Sequence, residues 1–166
     1  MIALTAKSSP CLLPSWPLTH KRDAQQSGAD WWARKMPAVF YLFDILADPR
    51  MHAEFDGSGT VQRQINGPQR LSKGATFGMA MRVKFPYTIT NTVEEFEEPT
   101  RIAWRHLGRH RWRYELEALD ESSTMVTETF DGSTALFPPA LKLINAYENN
   151  QKAILKSLVR LKALAE

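Results

Sequence analysis

From residue 37 onward the spacing of apolar residues changes period twice, which divides the chain into helix, strand and helix regions. PAVFYLFDILAD is apolar almost throughout and predicts a short buried helix. Pro37 suits a first helical turn, and Asp48-Pro49 ends the helix because a residue before proline is pushed out of helical geometry. PRMHAEFDGSG predicts a second short helix running into a glycine turn. The period then drops to two. In ATFGMAMRVKF the residues Phe77, Met79, Met81 and Val83 alternate with Thr76, Gly78, Ala80 and Arg82. TVQRQI precedes this strand, and YTITNTVEEFEE, RIAWRH, HRWRYELEAL and STMVTETFDGS follow it, with turn signals between them. Six strands so spaced predict an antiparallel meander. A helical period returns from about Pro138 to Ala165, where Tyr147, Gln151, Ile154, Leu158 and Leu161 share one stripe and Glu148, Lys152, Lys156 and Lys162 the other side. One long amphipathic helix, packed by that stripe on the sheet, is expected.

The stretch IAWRHLGRHRWRYEL (102–116) has two readings, a basic–aromatic surface for nucleic acid or the two faces of a hairpin. A two-residue turn would set Trp104 opposite Arg111 and mix the faces. A three-residue loop, Leu107-Gly108-Arg109, pairs His106 with His110, Trp104 with Trp112 and Ile102 with Tyr114, so that apolar meets apolar. Extending the pairing to the next strand puts Tyr114 opposite Glu128, Trp112 opposite Phe130 and Leu116 opposite Val126. The arginines at 101, 105, 111 and 113 then point the other way. Arg105 and Arg111 lie opposite each other, which is unfavourable unless acids intervene. Glu94, Glu95, Glu97 and Glu98 of the preceding strand are the expected neighbours.

Charge bears on the same choice. Of 21 basic and 18 acidic residues, residues 1–35 hold five and two, which accounts for the whole net charge of +3. The rest of the chain is balanced, unlike a nucleic-acid-binding domain. Residues 1–35 mix Ser, Pro, Gln and Lys without periodicity and read as a poorly ordered leader, mostly coil, in which one or two of Trp16, Trp31 and Trp32 dock on the domain surface or, alternatively, touch a partner or a membrane. Residues 36–166 form the domain. Prolines interrupt CLLPSWPL, so no secretory signal is expected, and no apolar run reaches the length of a membrane helix. A lone cysteine, Cys11, leaves no internal disulfide and no cysteine-based zinc site. A cytoplasmic protein is expected.

The inner face of the predicted sheet is apolar and aromatic, yet it includes His106, His110, Tyr114 and Glu128. A dry core penalises such groups unless they are paired. One reading is plain, a satisfied buried network or His110 at the sheet's wet rim; the second is a partly hydrated cavity in which they orient a ligand. In the second case the wall comprises Phe77, Met79, Met81, Ile89, Trp104, His106, Trp112, Tyr114, Glu128, Phe130 and Tyr147. Glu128, His106 and Tyr114 are the weak candidates for acid–base catalysis. No Ser or Cys nucleophile has a matching partner pattern. Two histidines flanking one loop make no convincing metal site, and no cofactor is expected.

Two short helices, an antiparallel meander and a long final helix make an α+β helix-grip fold, a curved sheet wrapped around the C-terminal helix. On these residues the chain resembles a known group. In LFDILADPRMHAEFDGSGTV the run from Phe43 to Pro49 matches a pattern of the bacterial SRPBCC proteins, the START-like, birch-pollen-allergen-like superfamily often labelled polyketide cyclase/dehydrase and lipid transport. RIAWRHLGRHRWRYELEAL and TMVTETFDGS look like its later strands, and the resemblance covers about residues 37–165. It implies a seven-stranded sheet with a hydrophobic cavity against the final helix. Members bind lipids, sterols, polyketides or other apolar molecules, and some catalyse cyclisation or dehydration. The chain departs from the pattern before the first helix, where QSGADWWARKM is a poor strand, so the family's first strand is degenerate, missing or replaced by the leader. Carriage of a small hydrophobic molecule (lipid, polyketide or aromatic) ranks first among the functions. An acid–base cyclase/dehydrase and an interaction or regulatory module are the alternatives. The expected partner is the small ligand, with neither nucleic acid nor an integral membrane segment.

Overall fold

The computed structural model describes residues 2–7 and 36–166. Seven strands form one sheet in the order β1-β7-β6-β5-β4-β3-β2. They are β1 (Ile2–Lys7), β2 (Val61–Asn66), β3 (Thr76–Arg82), β4 (Pro86–Glu97), β5 (Arg101–Arg105), β6 (Arg111–Asp120) and β7 (Ser123–Asp131). Two helices, α1 (Ala38–Ala47) and α2 (His52–Phe55), precede β2, and α3 (Pro138–Leu143) and α4 (Ala146–Ala165) follow β7. This is the expected α+β helix-grip arrangement.

The strands β2 to β7 form the antiparallel meander. At its end stands a strand that the sequence reading took for coil: β1 pairs in parallel with β7, Ile2 with Thr124 through Lys7 with Thr129. β7 is thereby an interior strand, and β1 and β2 form the two edges of the described sheet. A possible strand near residues 29–36 and the docking of Trp16, Trp31 and Trp32 lie outside the described residues.

The hairpin has the three-residue register. Arg109 donates its backbone N–H to the His106 carbonyl at 2.8 Å, and its φ of 62° puts it in the left-handed region, the geometry of a three-residue loop. Trp104 pairs with Trp112, Ile102 with Tyr114 and Arg105 with Arg111. On the next strand Tyr114 meets Glu128, Trp112 meets Phe130 and Leu116 meets Val126.

The outer face of this patch is a network of charge pairs. Arg105 binds Glu94 at 2.6 Å, and Arg111 and Arg113 share Glu95, each at 2.6 Å. Arg101 binds Glu97 at 2.6 Å. A bulge in β4 between Val93 and Glu95 makes this possible. Strict alternation would place Val93 and Glu95 on one face. With one extra residue, buried Val93 and half-buried Phe96 pair with inward-facing Trp104 and Ile102, and both glutamates meet arginines. Glu98 binds Arg70 instead, which also binds Asp44 of α1.

α1 is buried through Val39, Leu42, Phe43, Ile45 and Leu46. Its first turn is tied to the β6–β7 turn by the Ala38 N–H, which donates to the Glu121 carbonyl. Asp48 stands in extended geometry after it, as its following proline requires, and its carboxylate holds the Arg50 guanidinium.

The single C-terminal helix expected over 138–165 is in fact two. Asn145 has φ 51° and ψ 34°, a left-handed residue that breaks the helical path between α3 and α4. Asparagine tolerates that geometry better than most residues, and no glycine or proline in LKLINAYENN announces the break. α4 packs by Ala153, Ile154, Ser157, Leu158, Leu161 and Ala165, while Tyr147 and Gln151 of the expected stripe are only half-buried.

Candidate functional site

Between the inner face of the sheet and α4 lies a cavity of about 680 Å³. The alternation of β3 and β4 builds one wall, with Met79 opposite Ile89 and Met81 opposite Tyr87. The alternation of β5, β6 and β7 builds the floor from Trp104, Trp112, Tyr114, Glu128 and Phe130. α4 and the loop after α2 close the third side through Ala153, Ser157 and Gly57. Val83, Tyr87, Ile144 and the exposed Lys152 and Lys156 stand along its outer lining.

Of the residues expected on the wall, Met79, Met81, Ile89, Trp104, His106, Trp112, Tyr114, Glu128 and Phe130 are brought together there. Two stand elsewhere. Phe77 is fully buried, with His52 and Trp104 against its ring at 5.3 and 6.1 Å. Tyr147 packs on Phe130 at 5.7 Å and over Gly132, where an added methyl group would lie 2.4 Å from its hydroxyl. Phe77 follows the predicted alternation, but its inner side is covered by a histidine from α2 that periodicity within the strand does not reveal.

His52 is the main residue that sequence reading missed. It is buried, its Nε2–H donates to the Leu46 carbonyl at 2.9 Å, and its ring stacks on Trp104 at 4.6 Å. Trp104 in turn stacks on Tyr114 at 5.5 Å. Three rings thus run along the floor toward Glu128. Burial pushes His52 down to about 4, so it is neutral at neutral pH. Asn91, also buried on the wall, was missed as well. Its position opposite Phe77 in β3 and two residues from Ile89 and Val93 was the available signal.

At the hairpin, His106 and His110 meet edge to face at 4.2 Å and both line the cavity. Gly108 donates its N–H to His106 Nδ1 at 3.1 Å, and His110 packs on Phe130 at 5.1 Å. Burial lowers both rings, His110 to about 4 with His106 as a second cause. The pair is therefore an uncharged corner at neutral pH.

Glu128 is the most unusual group. It is 2% exposed, and burial pushes its carboxyl up to about 8, against the pull of a hydrogen bond from Tyr114; Asp56 adds to the upward push. Its Oε2 has no hydrogen-bond partner among the described residues. Tyr114 is held well above the usual phenol range by burial and by Glu128. Among the described residues no group of three or more His, Cys, Asp or Glu side chains is placed to hold a metal ion. No described helix is long and apolar enough to cross a membrane.

No family model matches the chain. Two curated proteins of Mycobacterium tuberculosis are similar to part of it. The uncharacterized protein Rv0088 is 46% identical over 91 residues, 54% of this chain and 41% of that protein. The uncharacterized protein MT0096 is 45% identical over the same length and shares. The matched part of the chain spans 41% of the length of these curated relatives. Among solved structures, a Rhodobacter sphaeroides protein superposes with a TM-score of 0.57 at 13% identity, covering 76% of this chain and 82% of its own. Protein NE0264 of Nitrosomonas europaea gives 0.57 at 13% over 78% and 87%. Protein Ms6760 of Mycobacterium smegmatis gives 0.56 at 16% over 78% and 84%. At these identities the likeness concerns the fold: the chain is a helix-grip protein with a cavity between sheet and helix.

Proposed function

We propose that this chain binds and carries a small hydrophobic molecule in the cavity between the sheet and α4, as a member of the SRPBCC/START-like superfamily. The observation that carries the reading is the cavity itself: about 680 Å³, walled chiefly by Met79, Met81, Ile89, Trp104, Trp112 and Phe130. That volume falls in the range of small-molecule sites, and thioether and aromatic walls adapt to apolar shapes. Tyr114 and Glu128 supply the polar end, and His106 stands at the hairpin corner. The arginines of the outer face are occupied by Glu94, Glu95 and Glu97, which favours a small apolar partner over nucleic acid.

One observation supports a second reading, an acid–base enzyme of the cyclase/dehydrase type. A carboxyl pushed up to about 8 can give or take a proton near neutral pH. His106 and Tyr114 would be its neighbours in that chemistry. Carriage ranks first because, among the described residues, the floor offers one carboxyl so shifted and no Ser or Cys nucleophile paired with it.

The carrier reading is tested by native mass spectrometry of the protein purified from cells, together with titration by 1-ethylpyrene, an apolar probe. Quenching of Trp104 and Trp112 reports entry of the probe. A retained small-molecule adduct or saturable quenching is expected. Absence of both would overturn the reading.

A further inference from the structure

Several polar groups on the cavity wall are already committed. His52 Nε2 is bound to the Leu46 carbonyl. Ser157 Oγ accepts the Gly57 N–H at 2.9 Å. His106 Nδ1 accepts the Gly108 N–H. Glu128 differs: Tyr114 is its hydrogen-bond partner, and its Oε2 has none among the described residues. A buried polar atom left without a partner is costly, so a ligand atom that completes it gains specificity.

The chemistry of that ligand atom follows from the groups around Glu128. Tyr114 faces it from β6 and donates its hydroxyl proton. Asp56, from the loop after α2, adds a negative charge that disfavours a second one. His52, His106 and His110 line the same space, and burial lowers all three toward the uncharged form. Lys152 and Lys156 of α4 are exposed on the lining, and Lys152 is paired with Glu148 at 2.7 Å. No cation is therefore paired with the Glu128 carboxyl among the described residues, and the carboxyl keeps its proton. A neutral carboxyl that accepts one hydrogen bond from Tyr114 has one O–H left to donate.

We infer that Glu128 is the polar anchor of the cavity and selects an uncharged, largely apolar ligand bearing a carbonyl oxygen. The hydrocarbon of the same shape lacks the acceptor. The corresponding carboxylate brings a negative charge into a cavity that already holds Asp56 and a buried carboxyl. The inference rests on the carrier reading and narrows it.

The test compares three probes of one shape: 1-acetylpyrene, 1-ethylpyrene and pyrene-1-carboxylate, each titrated into the full chain by tryptophan quenching. At about pH 6.5 the ketone is expected to bind roughly three- to tenfold tighter than the hydrocarbon, the range for one buried hydrogen bond, and the carboxylate weakest of all. Raising the pH to about 9 ionises Glu128, removes the donor and abolishes the ketone preference. Glu128→Gln keeps an N–H donor in nearly the same shape, so the preference persists and becomes independent of pH. Glu128→Leu loses the preference but still binds 1-ethylpyrene, with circular dichroism confirming its fold. If 1-ethylpyrene binds but the ketone shows no advantage, or the carboxylate binds best, the inference is wrong while the carrier reading stands. If none of the probes binds and no adduct is retained, the carrier reading itself fails.

Discussion

Tyr114 and Glu128 face each other across the β6–β7 pair and share a hydrogen bond inside the protein, where they are 3% and 2% exposed. A tyrosine opposite a glutamate is unremarkable on a wet sheet. Here the curvature of the sheet and the cover of α4 remove the water, so burial favours the neutral form of each group. The floor of the cavity is therefore polar without being charged.

That relationship fixes the pH dependence of stability. Glu128 rises from an ordinary 4.5 to about 8 on folding, so the native protein binds the extra proton between those values. Its contribution is fully present below 4.5 and is lost as pH rises toward 8. His52 and His110 fall from 6.5 to about 4, so their contribution is present above 6.5 and is lost as pH falls. Below 6.5 the two effects oppose each other, and above it Glu128 acts alone. Stability should decline between about pH 6.5 and 8, at no more than about 1.4 kcal/mol per pH unit. Urea denaturation across that window measures it. Glu128→Gln should flatten the decline, and an unchanged slope would mean that Glu128 is not the group responsible.

Gly57 is where the loop after α2 touches α4. A methyl group there would lie 2.0 Å from the Ala153 carbonyl oxygen and 2.4 Å from the Ser157 nitrogen, both backbone atoms. Neither can yield without moving the helix. Gly57→Ala should cost about 2–3 kcal/mol and weaken probe binding, because the helix it displaces is a wall of the cavity. Gly59 is the control. It has a φ of 68° but nothing within 4 Å of an added methyl group, so Gly59→Ala should cost only about 1–2 kcal/mol of backbone strain and leave binding intact. Denaturant titration of the two variants distinguishes crowding from strain.

Glu95 holds two arginines on the outer face, with side-chain exposures of 17% for Glu95, 22% for Arg111 and 26% for Arg113. The two guanidinium groups keep its carboxyl below the usual range despite partial burial, which acts the other way. Glu95→Gln leaves Arg111 opposite Arg105 with less compensation and should lower stability by about 1–2 kcal/mol. The deficit should shrink in high salt, where repulsion between the arginines is screened. Thermal melts at low and high ionic strength would show whether it does.

Much of this was legible because one rule governed it. In the β5–β6 hairpin a single slip exchanges every inward residue for an outward one, so Trp104, Trp112 and Tyr114 identified the register and the arginines followed. The same rule located Glu128. It did not find His52, which comes from a four-residue helix with no period of its own and reaches the floor through tertiary packing. Nor did it find the break at Asn145, since the residues on both sides continue a helical pattern. The strand Ile2–Lys7 was overlooked although Ile2, Leu4 and Ala6 alternate with Ala3, Thr5 and Lys7. Six residues of mild alternation do not outweigh the unpatterned segment that follows. Its partner in the sheet lies more than a hundred residues away, beyond the reach of local pattern.

The bulge in β4 gives that strand two phases, one before Glu94 and one after it. Substitution of either glutamate changes a charge and leaves the phase alone. Deletion of one of them would do something else: it would remove the extra residue and restore strict alternation, with Val93 and Phe96 still inward and one glutamate left where two now meet the arginines. The apolar face can therefore tolerate a change of length that the charge network cannot. A one-residue gap placed there when this chain is aligned with its relatives should coincide with the loss of the bulge.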